Sequence, residues 1–214
     1  KVLIEDFYEN VAQPSKEDLK LTDELLKRHD VSKLQRSMKV KAFVDDLSGR
    51  DLMVNYLFAP VFHVGSINAG RISQIPPLSN KVTAVFHCRI VPNMTASEVF
   101  EKVTRHLRKH GFPDISVKPL YQLPWMKTKG DDPCVRALVE MYKDFGCDPQ
   151  ICPGQPTTPP PAVFGLPYVN GGYGKGGKRG LPNEYLIVEG LGRTPGLVEF
   201  ETSFASFLYK FARY

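Results

Sequence analysis

The run Lys81–Pro92, KVTAVFHCRIVP, is β-branched and largely apolar, and a capping box, Thr95-Ala96-Ser97-Glu98, follows close behind it. A strand that passes straight into a capped helix restricts the chain to folds in which helices cover a sheet. The helix carries Val99, Phe100, Val103 and Leu107 on one face and stops at Gly111. Phe58–Ile67 reads as a strand before this step, and Ile115–Leu120 as one after it. The expected unit is a small α+β sandwich whose sheet holds 58–67, 82–91 and 114–120.

The flanks are read by the same rules. Ser15 with Asp18 caps a helix reaching about Arg28, with Leu19, Leu25 and Leu26 as its apolar side. Shorter helices are expected around Val31–Gln35 and Leu47–Asn55. Leu123–Asp131 reads as a linker, dividing the chain into segments 1–124 and 125–214. Asp132 caps, and Pro133 starts, a helix to Phe145 bearing Val135, Leu138, Val139 and Tyr142. Gln150–Cys152 reads as a short strand. Five prolines between Pro153 and Pro161 make that stretch a stiff loop. A last helix is expected from Glu199 to Arg213, with Phe200, Phe204, Phe207, Leu208 and Phe211 as a core-facing stripe.

Between expected strands at 163–169 and 185–188 lies Gly171–Tyr185, GGYGKGGKRGLPNEY. Its glycines imply a backbone that is exposed or closely approached. Gly172–Gly177 fits G-x-G-x-x-G. Gly172–Lys178 fits the start of a P-loop, with Arg179 where a metal-binding hydroxyl belongs. Both motifs need a helix directly after the glycines, so that its N-terminus faces phosphate. Pro182 and a β-rich YLIV follow instead. A basic loop that binds an anion or nucleotide is therefore the weaker reading.

The chain has 214 residues and a formal charge of +5, enough length for a real core and a mild bias toward anionic partners. The cations are scattered, which argues against nucleic acid. No apolar run approaches the roughly 20 residues that span a bilayer. Cys88, Cys134, Cys147 and Cys152 form no CxxC, and no signal-peptide pattern opens the sequence. Reduced thiols and a cytoplasmic location are expected. The first residue is Lys rather than Met, so the sequence reads as a piece of a longer chain. The five histidines, His29, His63, His87, His106 and His110, show no ligand spacing with nearby carboxylates. His63 and His87 are expected as half-buried, satisfied imidazoles on strands.

Four stretches in order resemble one family, the zinc peptidases that include cytosolic dipeptidase, carnosinase and glutamate carboxypeptidase (metallopeptidase family twenty). VLIEDFYENVAQPSKEDLKL resembles their V-x-I-x-G-F-Y-x-x-V-x-P-x-[ST]-x-E-[DE]. FHVGSINAG followed by IP resembles L-x-[HV]-x-G-I-x-x-G…[TN]-V-I-P. RIVPNMTASEVFEKV resembles the R-[IL]-V-P-x-[MQ] strand-to-helix step. GLPNEYLIVEG resembles H-x-P-N-E-[YF]-[IL]-x-V. Together they cover most of the chain.

The resemblance implies an α/β, mixed α+β protein. Residues 1–124 would be part of a ferredoxin-like lid and dimerisation domain with an N-terminal helical insertion. Residues 125–214 would be the C-terminal part of an α/β zinc-peptidase catalytic domain. Family members cleave dipeptides, C-terminal amino acids or acyl-amino acids, using two zinc ions that activate water and polarise the scissile carbonyl. The implied substrate-binding positions are Arg89, for the substrate carboxylate, with Ser73, Gly154, Thr157 and Asn183.

The departures matter as much. The family's H-x-D, bridging Asp and Glu-Glu ligands match nothing in this sequence, and neither does the lid's substrate-binding histidine. The last zinc-ligand histidine falls on Gly180, beside the retained Pro182, Asn183 and Glu184. The G-G-[ST]-x-P loop falls on Pro153-Gly154-Gln155-Pro156, before Thr157 and Thr158. Zinc is thus the family's cofactor, with none expected on this chain alone. The expected partners are a second copy, through the lid, or a missing N-terminal catalytic half. A non-catalytic relative that lost its zinc site is the alternative.

Overall fold

The computed structural model describes residues 1–69, 81–155, 159–178 and 180–214. Ser73 and Thr157 lie outside them, as do the expected Ile75–Pro77 loop, Thr158 and Arg179. The chain forms two compact units, Lys1–Met126 with Cys152–Gly165, and Lys127–Ile151 with Leu166–Tyr214.

In the first unit α1 (Lys16–Arg28) opens on the expected box. The Ser15 hydroxyl accepts from the Asp18 backbone N–H at 3.2 Å, and the Ser15 N–H donates to the Asp18 carboxylate at 2.9 Å. After α2 (Val31–Met38) and α3 (Gly49–Phe58), β1 (Val61–Ala69) pairs antiparallel with β2 (Val82–Arg89). Phe62 stands opposite Cys88 and His63 opposite His87, with a bulge between Val64 and Ser66. Alternation along β1 and β2 turns Phe62 and Cys88 inward, onto a core of Phe7, Ile90, Val91, Met94 and Val99. The N-terminal segment is tied to the end of β2, where the Ala12 N–H donates to the Pro92 carbonyl at 3.2 Å. Leu25, on α1, is buried, as are Leu52 and Leu57 on α3, which contacts α1.

Helix α4 (Ala96–Lys109) also starts on its box. The Thr95 hydroxyl accepts from the Glu98 N–H at 3.2 Å, and the Thr95 N–H donates to Glu98 Oε2 at 2.9 Å. These bonds hold the Glu98 carboxyl below its ordinary 4.5, the Thr95 hydroxyl first among the causes. A carboxyl whose pKa falls on folding stabilises the fold above its unfolded value, and that contribution fades as acid protonates it. Thr95→Ala should cost about 1 kcal/mol at neutral pH. Urea melts should show the gap between variant and parent shrinking as pH falls below about 4.5.

In the second unit α5 (Pro133–Asp144) is capped by Asp132, whose carboxylate accepts from the Cys134 N–H at 3.0 Å. Gly176–Gly177 (β3) pairs antiparallel with Tyr185–Leu186 (β4), and α6 (Leu197–Phe211) packs on α5. Cys134, Val135, Ala137, Met141 and Ser203 are buried there.

Several sequence expectations change. Residues 114–120 form no strand, because a strand exists only through its ladder and nothing among the described residues pairs with this run. The sheet of the first unit therefore has two strands there, not three. Neither Gln150–Cys152 nor residues 163–169 form a strand, and Pro160–Phe164 is a 3-10 turn. The aromatic stripe of α6 is not core. Phe200, Phe204, Leu208 and Phe211 are 40–58% exposed, since α5 covers only one side of the helix. His63 and His87 are exposed rather than half-buried, their rings stacked on each other at 5.2 Å.

Candidate functional site

Arg89 closes β2 and turns its guanidinium onto three backbone carbonyls. Nη1 donates to Tyr56 O at 3.0 Å and to Gln155 O at 3.4 Å, and Nη2 donates to Ala59 O. Tyr56 and Ala59 belong to the last turn and C-cap of α3, where carbonyls lack intrahelical partners and the helix end carries partial negative charge. A planar fork of donors suits that cluster. Burial lowers the Arg89 pKa, which for arginine still leaves a cation. Among the described residues no carboxylate pairs with it, and its Nε–H is buried without a partner. The result is a half-buried cation with three of its five N–H donors used on carbonyls and, among the described residues, no carboxylate partner.

Gly154 is brought to the same place. A Cβ there would lie 2.9 Å from the Leu57 carbonyl oxygen, so only glycine lets this loop lie against the end of α3. Gln155, next along, supplies a carbonyl to Arg89. Two of the five sequence-derived positions thus meet in the first unit. Asn183 lies in the second, at φ 62° just before β4.

Gly180 has φ 72° and open space where a side chain would stand, and its N–H donates to Glu184 Oε2 at 3.1 Å. Glu184 is thereby used within its own loop. Among the described residues no three His, Cys, Asp or Glu side chains stand close enough to hold a metal ion. The donor set present does not fit a two-zinc centre. Burial pushes the Cys88 thiol up to about 11, far above the range of a reactive thiol, and raises Cys134 as well.

The glycine loop has a packing explanation that the sequence left open. A Cβ at Gly171 would lie 2.6 Å from Leu138 Cδ2, and one at Gly172 or Gly174 would lie 3.0 Å from the Phe200 ring. The Tyr142 hydroxyl accepts from the Gly172 N–H at 2.8 Å and donates to its carbonyl at 3.0 Å. Glycine lets the main chain rest directly on α5 and α6. Gly176–Gly177 then enters a hairpin, and the next helix begins only at Leu197, so neither phosphate motif has its helix N-terminus.

The fold of this chain is similar to that of part of several solved peptidase structures, an M20 family metallo-carboxypeptidase and two dipeptidases among them. The M20 family metallo-carboxypeptidase Sso-CP2 from Sulfolobus solfataricus matches 77% of this chain and 37% of its own, at 25% identity and a TM-score of 0.61. The dipeptidase Dug1p from Saccharomyces cerevisiae matches 100% of this chain and 46% of its own, at 16% identity and a TM-score of 0.71. Human carnosine dipeptidase 1 matches 100% and 46%, at 17% identity and a TM-score of 0.68. The chain spans less than half the length of each. No protein-family profile matches it, and no curated protein matches it by sequence.

Proposed function

We propose that this chain supplies the carboxylate-gripping lid and the last part of the catalytic domain of a zinc-dependent dipeptidase or carboxypeptidase. The two-zinc ligands would come mostly from residues outside this chain. The observation that carries the reading is Arg89: a half-buried cation without a carboxylate partner among the described residues, beside the close-packed Gly154, with a free Nε–H. The C-terminal carboxylate of a peptide or acyl-amino acid would be met by the donors that the Tyr56, Ala59 and Gln155 carbonyls leave over, the second Nη2–H and the Nε–H, once the site opens to it. Gly154 would stand beside Arg89 at this contact, and Ser73, Thr157 and Asn183 are proposed as substrate-binding positions on the resemblance alone.

The exposed apolar surface fits a chain that works in an assembly. Ile67, Val82 and Phe86 on the hairpin are 50–65% exposed, and α6 presents its aromatic stripe. The lid would pair with a second copy, and the α6 stripe would be covered by the N-terminal half of a catalytic domain. Among the described residues no helix is long and apolar enough to cross a membrane, and the proposed site of action is the cytoplasm.

A non-catalytic relative is the second reading, and Gly180 favours it, since glycine offers zinc no side-chain donor. Both readings keep the lid, so the first test is of the lid itself. Titrating the chain with an N-acetyl amino acid should shift the Arg89 Nε–H resonance, while the corresponding amide should not. Equal shifts from acid and amide, or none from either, would overturn the carboxylate-gripping reading.

A further inference from the structure

We propose that His106 and His110 form a two-histidine chelate for a first-row transition-metal dication, Cu²⁺ above all, at the C-terminal end of α4. The four-residue spacing puts both imidazoles on one face of the helix. Their ring centroids are 4.3 Å apart and their planes are tilted by 47°. An imidazole binds a metal through a lone pair lying in its ring plane, so two rings can share an ion only where their planes meet. The tilted pair is nearer to this arrangement than a parallel stack, since its planes converge close to the rings. The other histidine pair is such a stack. His63 and His87 lie 17° from parallel at 5.2 Å, so their planes do not meet within bonding distance.

The surroundings admit a cation. His110 is the C-cap of α4, where the helix end carries partial negative charge. The cations nearby are Arg105, Arg108 and Lys109. Arg105 is paired with Asp6 at 3.1 Å and Lys109 with Glu5 at 2.8 Å, which offsets two of the three. Glu5 also feels the charge of His106, so a carboxylate lies within electrostatic reach of the pair. Two nitrogen donors, with water in the remaining positions, suit Cu²⁺ best by the usual order of divalent affinities. This site is separate from the peptidase reading and does not depend on it.

The test is a titration of the full chain with copper(II) chloride at about pH 7.5, above the ordinary imidazole value of about 6.5. Paramagnetic broadening of the histidine ring resonances reports the site. His106 and His110 should broaden first. His110→Ala should weaken binding by at least the about 10–100-fold that follows loss of a ligand's hydrogen-bond partner. His87→Ala should leave binding unchanged. His106→Gln, read alongside helix content by circular dichroism, guards against an effect of helix fraying. Broadening led by His63 and His87, or spread evenly over all five histidines as an adventitious ion only, would overturn the proposal. So would unchanged binding in both His110→Ala and His106→Gln.

Discussion

An Arg89→Ala variant is expected to lose about 2–3 kcal/mol of stability in the first unit and most of its affinity for carboxylate. The stability loss follows from leaving the carbonyls of Tyr56, Ala59 and Gln155 without their charged donor. Hydrogen bonds to charged groups are each worth roughly 1.5–3 kcal/mol, and partial exposure lets water replace some of that. The expected weakening of carboxylate binding is about 10–100-fold, the equivalent of one charge-assisted pair. Urea unfolding measures the first effect, and the N-acetyl amino acid titration, followed in the variant by the backbone amides of residues 56–59, measures the second. Arg89→Lys keeps the charge but loses the fork. It should recover part of the binding and little of the carbonyl anchoring. A stable Arg89→Ala variant that still bound carboxylate would remove Arg89 from the site.

Phe7→Ala should be the most destabilising simple truncation in the first unit, at about 3–5 kcal/mol. Phe7 is 1% exposed and packs among Ile90, Val91, Met94 and Val99, with the Phe62 ring edge-on at 6.2 Å. Truncation leaves a cavity between the N-terminal segment and the β2–α4 step that the neighbours cannot close. Phe204→Ser, on the open face of α6, should by contrast change stability by about 0.5 kcal/mol or less. If the two substitutions cost the same in a urea melt, the placing of Phe7 in the core of the first unit, and of the Phe204 face of α6 at the surface of the second, would both be wrong.

Local chemistry was the most legible part of the chain. Ser15–Asp18, Thr95–Glu98 and Asp132–Pro133 are caps whose donors and acceptors lie within a few residues, and each starts the helix it announces. The β2–α4 step and the likeness to zinc peptidases were legible for the same reason, since their residues are contiguous. Residues 114–120 misled because β-propensity describes one strand while a ladder needs two. The α6 stripe misled because helical periodicity shows that a face is apolar, not that anything in this chain covers it. Arg89 and Gly154 could be proposed only through resemblance, being 65 positions apart. Their meeting at the end of α3 had no sequence signal.

What the sequence determined by itself was where helices begin, which strand carries the core, and that glycine at 180 offers no side-chain donor. These depend on residue chemistry acting over one or two turns of chain. What only the tertiary structure decided was which carbonyls the Arg89 guanidinium satisfies and why the 171–177 loop is built of glycine. It also decided that the aromatic face of α6 is left open and that the His106 and His110 rings stand 4.3 Å apart with their planes tilted by 47°. Each of these depends on distances between side chains and backbone brought together by packing, and no pattern read along one strand of sequence carries that information.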